Sequence, residues 1–380
     1  MKSIRIFSQS AALLCTLLAV SPARCADVTS ETPPVGGIHL DLPQRGSAIV
    51  SIPLNHQAAC IGRVAAFGAH SLTFSGVNWT PGQFAPASGS TYFAQFVTGN
   101  LAGLVTPILS NDATTVTVDT NGHDLTAHPL HAITADAYDA ALKQTAYGDL
   151  VCIRAAWTVS EIFGADEAGV ALSPWAAGAA IDRGSAGDRV LIPNNASAGV
   201  YKAPAAVLGY VAGAGWRRAG GAGDQGGFAF LPGAAAVVQR SAQTPAMILA
   251  PGYVQTFRAV TELPGDATLG NDLIVGSTLA EPIALQDSGL GSQTPGDSIF
   301  SVSVSPNSRQ RIDLLQILGG DYLNLWDVQN EFVYLSSGWE KVGAPGVDAG
   351  PSVAYLPGHG FRLRLQEGSP GGFWLQAPTY

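Results

Sequence analysis

The sequence is poor in charge. Charged residues make up 12% of its 380 positions, against about 25% in ordinary soluble domains. Long surface helices need Lys and Glu on their exposed faces, so this scarcity predicts few of them. The chain has instead 45 Gly and 24 Pro, which are residues of tight turns. This composition favours a β-rich protein.

Short motifs of common chemistry are also missing. The chain has no Gly-x-Ser-x-Gly, no His-Glu-x-x-His and no Gly-Lys-Ser/Thr, so no motif indicates an elbow esterase, a zinc protease or a phosphate loop. The glycine-rich run 220–227 follows a predicted strand and opens no helix, unlike a Rossmann fingerprint. A pair of acids for glycosidic cleavage stays open, because 28 acidic residues allow many pairs. We predict no catalytic activity, no metal and no cofactor.

Long apolar runs are absent, and the most apolar stretch lies at the start. Two basic residues precede an apolar run at 11–20, and Ala23 and Cys25 are suitably small for a cleavage site before position 26. This pattern predicts a secretory signal peptide over 1–25, since a membrane span needs about 20 apolar residues. A lipoprotein signal is disfavoured by Arg24. We expect an exported protein, in the periplasm, at the outer surface or outside the cell, with no transmembrane segment in the mature chain.

The mature chain is acidic. Removing Lys2, Arg5 and Arg24 from the 19 basic residues leaves 16 against 28 acidic ones, a net charge of −12. Such a chain repels nucleic acid and anionic lipid. We therefore predict no nucleic-acid partner.

Cysteine is scarce as well. Of four cysteines, two leave with the signal peptide, and Cys60 and Cys152 remain. An oxidising compartment would permit a disulfide between them, contributing about 2–4 kcal/mol. Two buried free thiols are the alternative. Cys60 and Cys152 are therefore a candidate disulfide.

What the second half of the chain does contain is one pattern written twice. Each copy has an Asp, a Gly-Trp and a Leu-Pro-Gly, and the spacings are 28 and 26 residues from Asp to Trp and 15 and 17 from Trp to Leu. Apolar strands bounded by Gly and Pro predict a hairpin in each copy. The predicted structural repeat residues are Trp216, Pro232 and Gly233 in the first copy and Trp339, Pro357 and Gly358 in the second.

The fold class that follows is mainly β, with two β-sandwich or barrel-like units built from duplicated Trp hairpins and few short helices. Residues 26–36 are polar and proline-bearing, which predicts a flexible leader. The two β-rich halves are predicted at 37–250 and 251–380. The first half carries an insertion around 60–187.

Local sequence patterns predict separate structural elements within the insertion and next to it. Six short apolar segments between 49 and 119, separated by turn residues, predict a small barrel or sandwich. The alanine-rich segment 134–144 predicts a short helix. Thr158 and Glu161 have the spacing of a capping box, which predicts one helical turn at 159–163.

The densest cluster of metal-ligand residue types is His123, Asp124, His128 and His131. Zinc needs three or four such groups converging at about 2 Å, and this spacing matches no standard metal-binding helix. The segment 119–124 resembles part of a calcium loop but lacks the acidic residue that would close the cage. A polar loop is therefore the preferred interpretation.

Several segments resemble a family of exported bacterial proteins of uncharacterised function. The segments, in order, are 149–154, 157–158, 162–163, 215–218, 287–291, 338–343, 373–374 and 377–380. The resemblance covers most of the mature chain, and the order of the segments is more specific than any one of them. The resemblance implies export from a bacterial cell and no assigned catalytic residue. The last residues of the chain do not show the Pro-Glu-Pro, apolar helix and basic tail of cell-envelope sorting signals, so we expect no sorting by that route.

The function predicted from these observations is that of an exported β-rich protein with a structural, surface or matrix role. Its partners would be an extracellular polymer or other copies of itself. The first alternative is a carbohydrate- or polymer-binding module whose exposed aromatics stack on sugar rings. A secreted hydrolase is the second. The aromatic candidates are Trp79, Trp157, Trp175, Trp216, Trp326, Trp339 and Trp374.

Overall fold

The computed structural model describes residues 34–378 except for 87–88, 129, 131–137, 140–143, 146–147, 182–185, 267, 293–297, 306–312, 319–327 and 370. The predicted signal peptide and most of the predicted leader lie outside the described residues. Strands dominate the described chain, and its one α-helix has a single turn. The prediction of a mainly β fold with few short helices is confirmed.

The strands fall into four consecutive groups. The first comprises β1 (Val35–Leu42), β2 (Ser47–Ser51) and β3 (Leu54–Asn55). The second comprises β4 (Ala58–Gly68), β5 (Ser71–Phe74), β6 (Tyr92–Phe96), β7 (Val105–Asn111), β8 (Thr115–Val118), β9 (Tyr138–Asp139), β10 (Gln144–Thr145) and β11 (Leu150–Ala155).

The third group comprises β12 (Trp157–Thr158), helix α1 (Val159–Phe163), β13 (Arg189–Ile192), β14 (Ala206–Val211), β15 (Gly215–Arg218), β16 (Ala229–Phe230), β17 (Ala235–Gln239) and β18 (Ala246–Val254). The fourth comprises β19 (Ala259–Pro264), β20 (Asn271–Gly276), β21 (Ile283–Ala284), β22 (Leu314–Leu318), β23 (Val328–Leu335), β24 (Gly338–Lys341), β25 (Val353–Tyr355), β26 (Gly360–Leu365) and β27 (Gly371–Gln376). Short 3-10 helices occur at Leu125–Ala127 and Leu285–Asp287.

The second group contains a closed barrel with strand order β11-β4-β5-β8-β7-β6. Val116 and Val118 point into its core, and the threonines between and before them point outward, as the alternation on a strand requires. Closure pairs every strand on both sides and so leaves no open edge. Five of the six predicted segments form barrel strands. The segment at 49–54 instead contributes β2 to another sheet, and β11 takes the sixth place in the barrel. Alternating hydrophobicity predicts that a segment is a strand, but it does not predict which strand pairs with it.

Two local predictions within this region have opposite outcomes. Helix α1 occupies 159–163, and the Thr158 and Glu161 side chains cap each other's backbone N–H as a capping box, so that prediction is confirmed. The described residues of 134–144 include β9 and the start of β10, which form an antiparallel pair, so the predicted helix is wrong there. Alanine content is a weak prior that long-range context overrides. The rest of that segment lies outside the described residues.

The first unit (β1–β3 with β12–β18) and the second unit (β19–β27) have the same topology. Their five-stranded sheets have the orders β15-β14-β13-β17-β2 and β24-β23-β22-β26-β20. In each, the first strand lies beside the last and the three middle strands follow in sequence. Each unit adds an outer ribbon of its opening and closing strands, β1 with β18 and β19 with β27. Register therefore assigns an equivalent residue to most strand positions.

The two units contact each other reciprocally. Val50 bridges His359, and Ala234 bridges Val275. By register, Val50 is equivalent to Val275 and Ala234 to His359, so each bridge becomes the other when the units are exchanged. The bond from Ser51 N to Gly358 O (2.8 Å) likewise matches that from Gly276 N to Gly233 O (3.0 Å). Exchange of identical contacts is the property of an isologous interface.

The unit boundaries differ slightly from those predicted. Strand β1 begins at Val35 and so includes the last two residues of the predicted leader. Strand β18 continues through Val254, because Val35 and Gly36 pair with Tyr253 and Gly252. The first unit thus extends four residues past the predicted boundary at 250. The barrel lies between β3 and β12, at one end of the predicted insertion.

Candidate functional site

The predicted repeat residues lie at equivalent positions in the two units. Trp216 pairs with Tyr210 across β14 and β15, and Trp339 pairs with Tyr334 across β23 and β24. Both indoles are buried, and each also contacts a phenylalanine ring, Phe163 at 5.9 Å in the first unit and Phe300 at 5.4 Å in the second. These tryptophans are core residues.

The two Leu-Pro-Gly segments form the same turn. Gly233 has φ +80° and Gly358 has φ +83°, and a backbone bond spans each turn from the residue after the glycine to the leucine carbonyl. Proline followed by a glycine at positive φ is the pattern of a type II turn. Each glycine carbonyl then accepts a bond from the other unit. Pro232, Gly233, Pro357 and Gly358 therefore shape the contact between units.

No tryptophan within the described residues is an exposed residue. Trp175, Trp216, Trp339 and Trp374 are buried, and Trp79 and Trp157 are half-buried. Trp326 lies outside the described residues. A polymer-binding site built from tryptophan platforms is not supported in this part of the chain.

The two cysteines are free thiols in this structure. Cys60 lies opposite Ile153 and Cys152 lies opposite Ile61 on strands β4 and β11. Opposed residues share a face of the sheet and neighbours alternate, so the thiols lie on opposite faces of the barrel wall. Burial raises the pKa of both thiols, which lowers their reactivity. A disulfide would require a local change of register, and it stays a prediction.

The histidine cluster is split by the structure. His123 and His128 line one cleft, whereas Asp124 accepts the Thr126 N–H and caps the 3-10 helix. Bonds from Thr126 hold the pKa of Asp124 below its ordinary value. His131 lies outside the described residues, within which no three His, Cys, Asp or Glu groups converge as metal ligands.

The cleft lined by His123 lies between the barrel and the second unit, and its volume is about 590 Å³. Small-molecule sites commonly measure about 300–1,000 Å³. The barrel contributes the segment between β6 and β7 and the turn after β8, and the second unit contributes the outer face of the ribbon β19–β27. The walls combine polar and apolar side chains, which suits a ligand with both characters.

The polar part of the cleft is centred on Glu262 of β19. Asn121 Nδ2 donates to Glu262 Oε2 at 3.1 Å, and His123 Nε2 lies 3.2 Å from Glu262 Oε1. Asn121 is held at φ +50°, and its backbone N–H donates to the Asp119 carboxylate. The barrel turn and the ribbon thus fix three planar polar side chains against one another.

A second set of bonds holds the barrel against the ribbon. Arg258 Nε donates to the Ala102 carbonyl at 2.8 Å, its Nη2 donates to the Gly99 carbonyl at 3.3 Å, and Val260 N donates to the Gly103 carbonyl at 3.0 Å. Gly103 has φ +96°, and a side chain there would meet the Arg258 carbonyl at 3.0 Å. Glycine is required for this close approach.

The apolar part of the cleft includes the outer face of β27. Phe373 and Leu375 are 51% and 44% exposed, while Trp374 and Gln376 between and after them are buried. Phe373 lies directly opposite Glu262 in the ladder, and Leu375 lies opposite Val260. Opposed side chains on one face of a sheet have Cβ atoms about 4.5–5.5 Å apart. An exposed phenyl ring and a carboxylate therefore lie side by side in one wall.

Sequence reasoning missed Glu262, Arg258 and Phe373 as site residues. The alternation at 372–376 carries a signal for Phe373, because a phenylalanine beside a buried tryptophan on a strand must point outward. Nothing in the sequence pairs Glu262 with Asn121, since 141 residues separate them. The carboxyl whose pKa is raised by burial, Asp313, lies away from the cleft and accepts the N–H groups of Ser301 and Gln366.

Comparison of the chain with protein-family models, curated proteins and solved structures found no match. The resemblance to exported bacterial proteins therefore stays a prediction. No helix within the described residues has the length and apolar character that a membrane crossing requires.

Proposed function

We propose that this is an exported binding protein whose cleft between the barrel and the second unit holds an amphipathic ligand. The observation that carries the proposal is the pairing of Glu262 and Phe373 on the outer face of the ribbon, within a cleft of about 590 Å³. The signal-peptide pattern at 1–25 supports export.

In this proposal the two units are a scaffold derived from one ancestral unit. Their shared strand order and reciprocal contacts support the duplication. The scaffold sets the ribbon β19–β27 rigidly, because its inner face is filled by Trp374 and Leu263. Sites built on rigid strands hold their geometry better than sites on loops.

A structural or surface role is the second candidate, and the ribbon β1–β18 favours it. Its outer face exposes Val35, Met247 and Leu249, the leucine at 64%. Within the described residues, β1 pairs with β18 alone and has a free edge. Open edges and exposed apolar faces are sites of association. Sedimentation velocity at rising concentration would show reversible association if this role applies.

The binding proposal is tested with a neutral apolar fluorophore, N-phenyl-1-naphthylamine. We expect saturable fluorescence enhancement with the wild-type protein and at least a tenfold weaker dissociation constant for Leu375→Asp, since a charge in an apolar wall opposes an apolar ligand. Leu249→Asp is the matched control, because it places the same charge on the outer face of the equivalent ribbon. Equal affinity in the two variants would refute the cleft as the binding site.

A further inference from the structure

We infer that the ligand of the cleft is a neutral saccharide, with Phe373 as the stacking face and Glu262, Asn121 and His123 as the groups that bind hydroxyls. This inference rests on the binding function proposed above and names the chemical class of the ligand.

The charges in the cleft favour a neutral ligand. Two carboxylates, Asp119 and Glu262, and one guanidinium, Arg258, line it. Each is engaged within the chain, Asp119 by the Asn121 N–H, Glu262 by Asn121 and His123, and Arg258 by two backbone carbonyls. A phosphate or carboxylate ligand would meet the two carboxylates, and a cation would meet Arg258. A ligand without charge avoids both of these repulsive contacts.

The polar groups match hydroxyls in particular. A hydroxyl both donates and accepts hydrogen bonds, a carboxylate only accepts, and an amide or neutral imidazole offers one atom of each kind. Glu262, Asn121 and His123 therefore present both kinds of partner within one contact network. Their mutual contacts fix the side chains before a ligand arrives, which reduces the entropy lost on binding.

The apolar group beside them suits the C–H face of a sugar ring. Phe373 is half exposed and its ring centroid lies 5.9 Å from that of His123. Its backbone is held by the ladder to Glu262 and by the buried neighbour Trp374. A fixed aromatic face next to planar hydrogen-bonding groups can contact the apolar face and the hydroxyl rim of one sugar ring together.

The inference is tested by applying the purified full-length mature protein to an array of neutral and acidic oligosaccharides and measuring the strongest hit by calorimetry. We expect the bound spots to be neutral glycans. Phe373→Ala should weaken binding about tenfold, and Phe373→Tyr should restore it, because the ring face returns. Glu262→Ala should weaken binding similarly, whereas Glu262→Gln should change it less than threefold, since a neutral ligand needs the hydrogen bonds and not the charge.

Three results would overturn the saccharide assignment. Binding of acidic glycans alone would contradict the charge argument. A loss of binding in Glu262→Gln as large as in Glu262→Ala would indicate a cationic ligand. Binding of N-phenyl-1-naphthylamine but of no glycan would refute the saccharide assignment while still supporting the cleft as a binding site. If neither probe binds, the proposed binding function is refuted as well.

Discussion

The two units share one topology, and they differ in what each adds to it. The first unit carries the barrel between β3 and β12. In the second unit a short segment joins β20, the equivalent of β2, directly to β21. The second unit instead presents its ribbon β19–β27 to that barrel, and the equivalent ribbon β1–β18 exposes its outer face. The cleft thus arises where the insertion of one unit meets the surface of the other. Asymmetry between similar units creates the site.

The sharpest difference inside the units concerns a buried aspartate. Asp188 and Asp313 are equivalent by register. Asp188 accepts three backbone N–H bonds, from Ser173, Ser241 and Ala242, and Asp313 accepts two, from Ser301 and Gln366. Asp188 also forms a buried ion pair with Arg240 at 3.0 Å, where the second unit has the apolar Leu365. The buried aspartate of the first unit therefore has a cationic partner, whereas the equivalent aspartate of the second unit has none at that position.

The largest predicted effect comes from Asp188→Asn. The change leaves Arg240 buried without its counter-charge, and breaking such a pair costs about 3–5 kcal/mol of unfolding free energy. Asp313→Asn is the matched variant and should cost about 1–3 kcal/mol, because it leaves one backbone N–H facing an amide N–H. Urea denaturation of both variants measures the difference. Equal losses would show that the ion pair adds nothing to the first unit.

A smaller effect is predicted for the paired tryptophans. Trp216 Nε1 donates to the Gly164 carbonyl at 2.8 Å, whereas Trp339 Nε1 is buried without a hydrogen-bond partner among the described residues. Both Trp216→Phe and Trp339→Phe remove similar volume. Trp216→Phe should cost about 1–2 kcal/mol more, because it leaves a carbonyl unbonded while Trp339→Phe removes an unsatisfied donor. Thermal or urea unfolding of the two variants decides this, and a larger loss for Trp339→Phe would contradict it.

The Trp216 and Trp339 hairpins also show which features of the fold can be predicted from the sequence. Gly, Pro and alternating apolar residues predict the strands β13, β14 and β15 and the turns at Gly233 and Gly358, since these depend on local backbone preferences. The same reasoning mistakes the partner of β2 and reads helix at 134–144, because pairing is decided by distant segments. The cleft could not be predicted from the sequence at all. Glu262 and Asn121 meet only when the barrel packs on the second unit, and no local pattern encodes that contact.

The smallest predicted effect is a pH dependence that belongs to the second unit. Burial raises the pKa of Asp313 above its ordinary value, against the opposing effect of the Ser301 and Gln366 N–H bonds. A raised folded-state pKa means that this group contributes stability below its unfolded-state pKa of about 3.9, and that the contribution is lost as pH rises through the folded-state pKa.

The measurement is the difference in unfolding free energy between the wild type and Asp313→Asn from pH 3.5 upward. Asparagine does not titrate, so the wild-type advantage should be largest at the acid end and shrink as pH rises. Carboxyls with lowered pKa values, such as Asp112 and Asp266, give the opposite slope, but they are present in both proteins and cancel in the difference. A difference that grows with pH would mean that the N–H bonds outweigh burial at Asp313. The missing counterpart of Arg240 would then have no electrostatic consequence for the second unit.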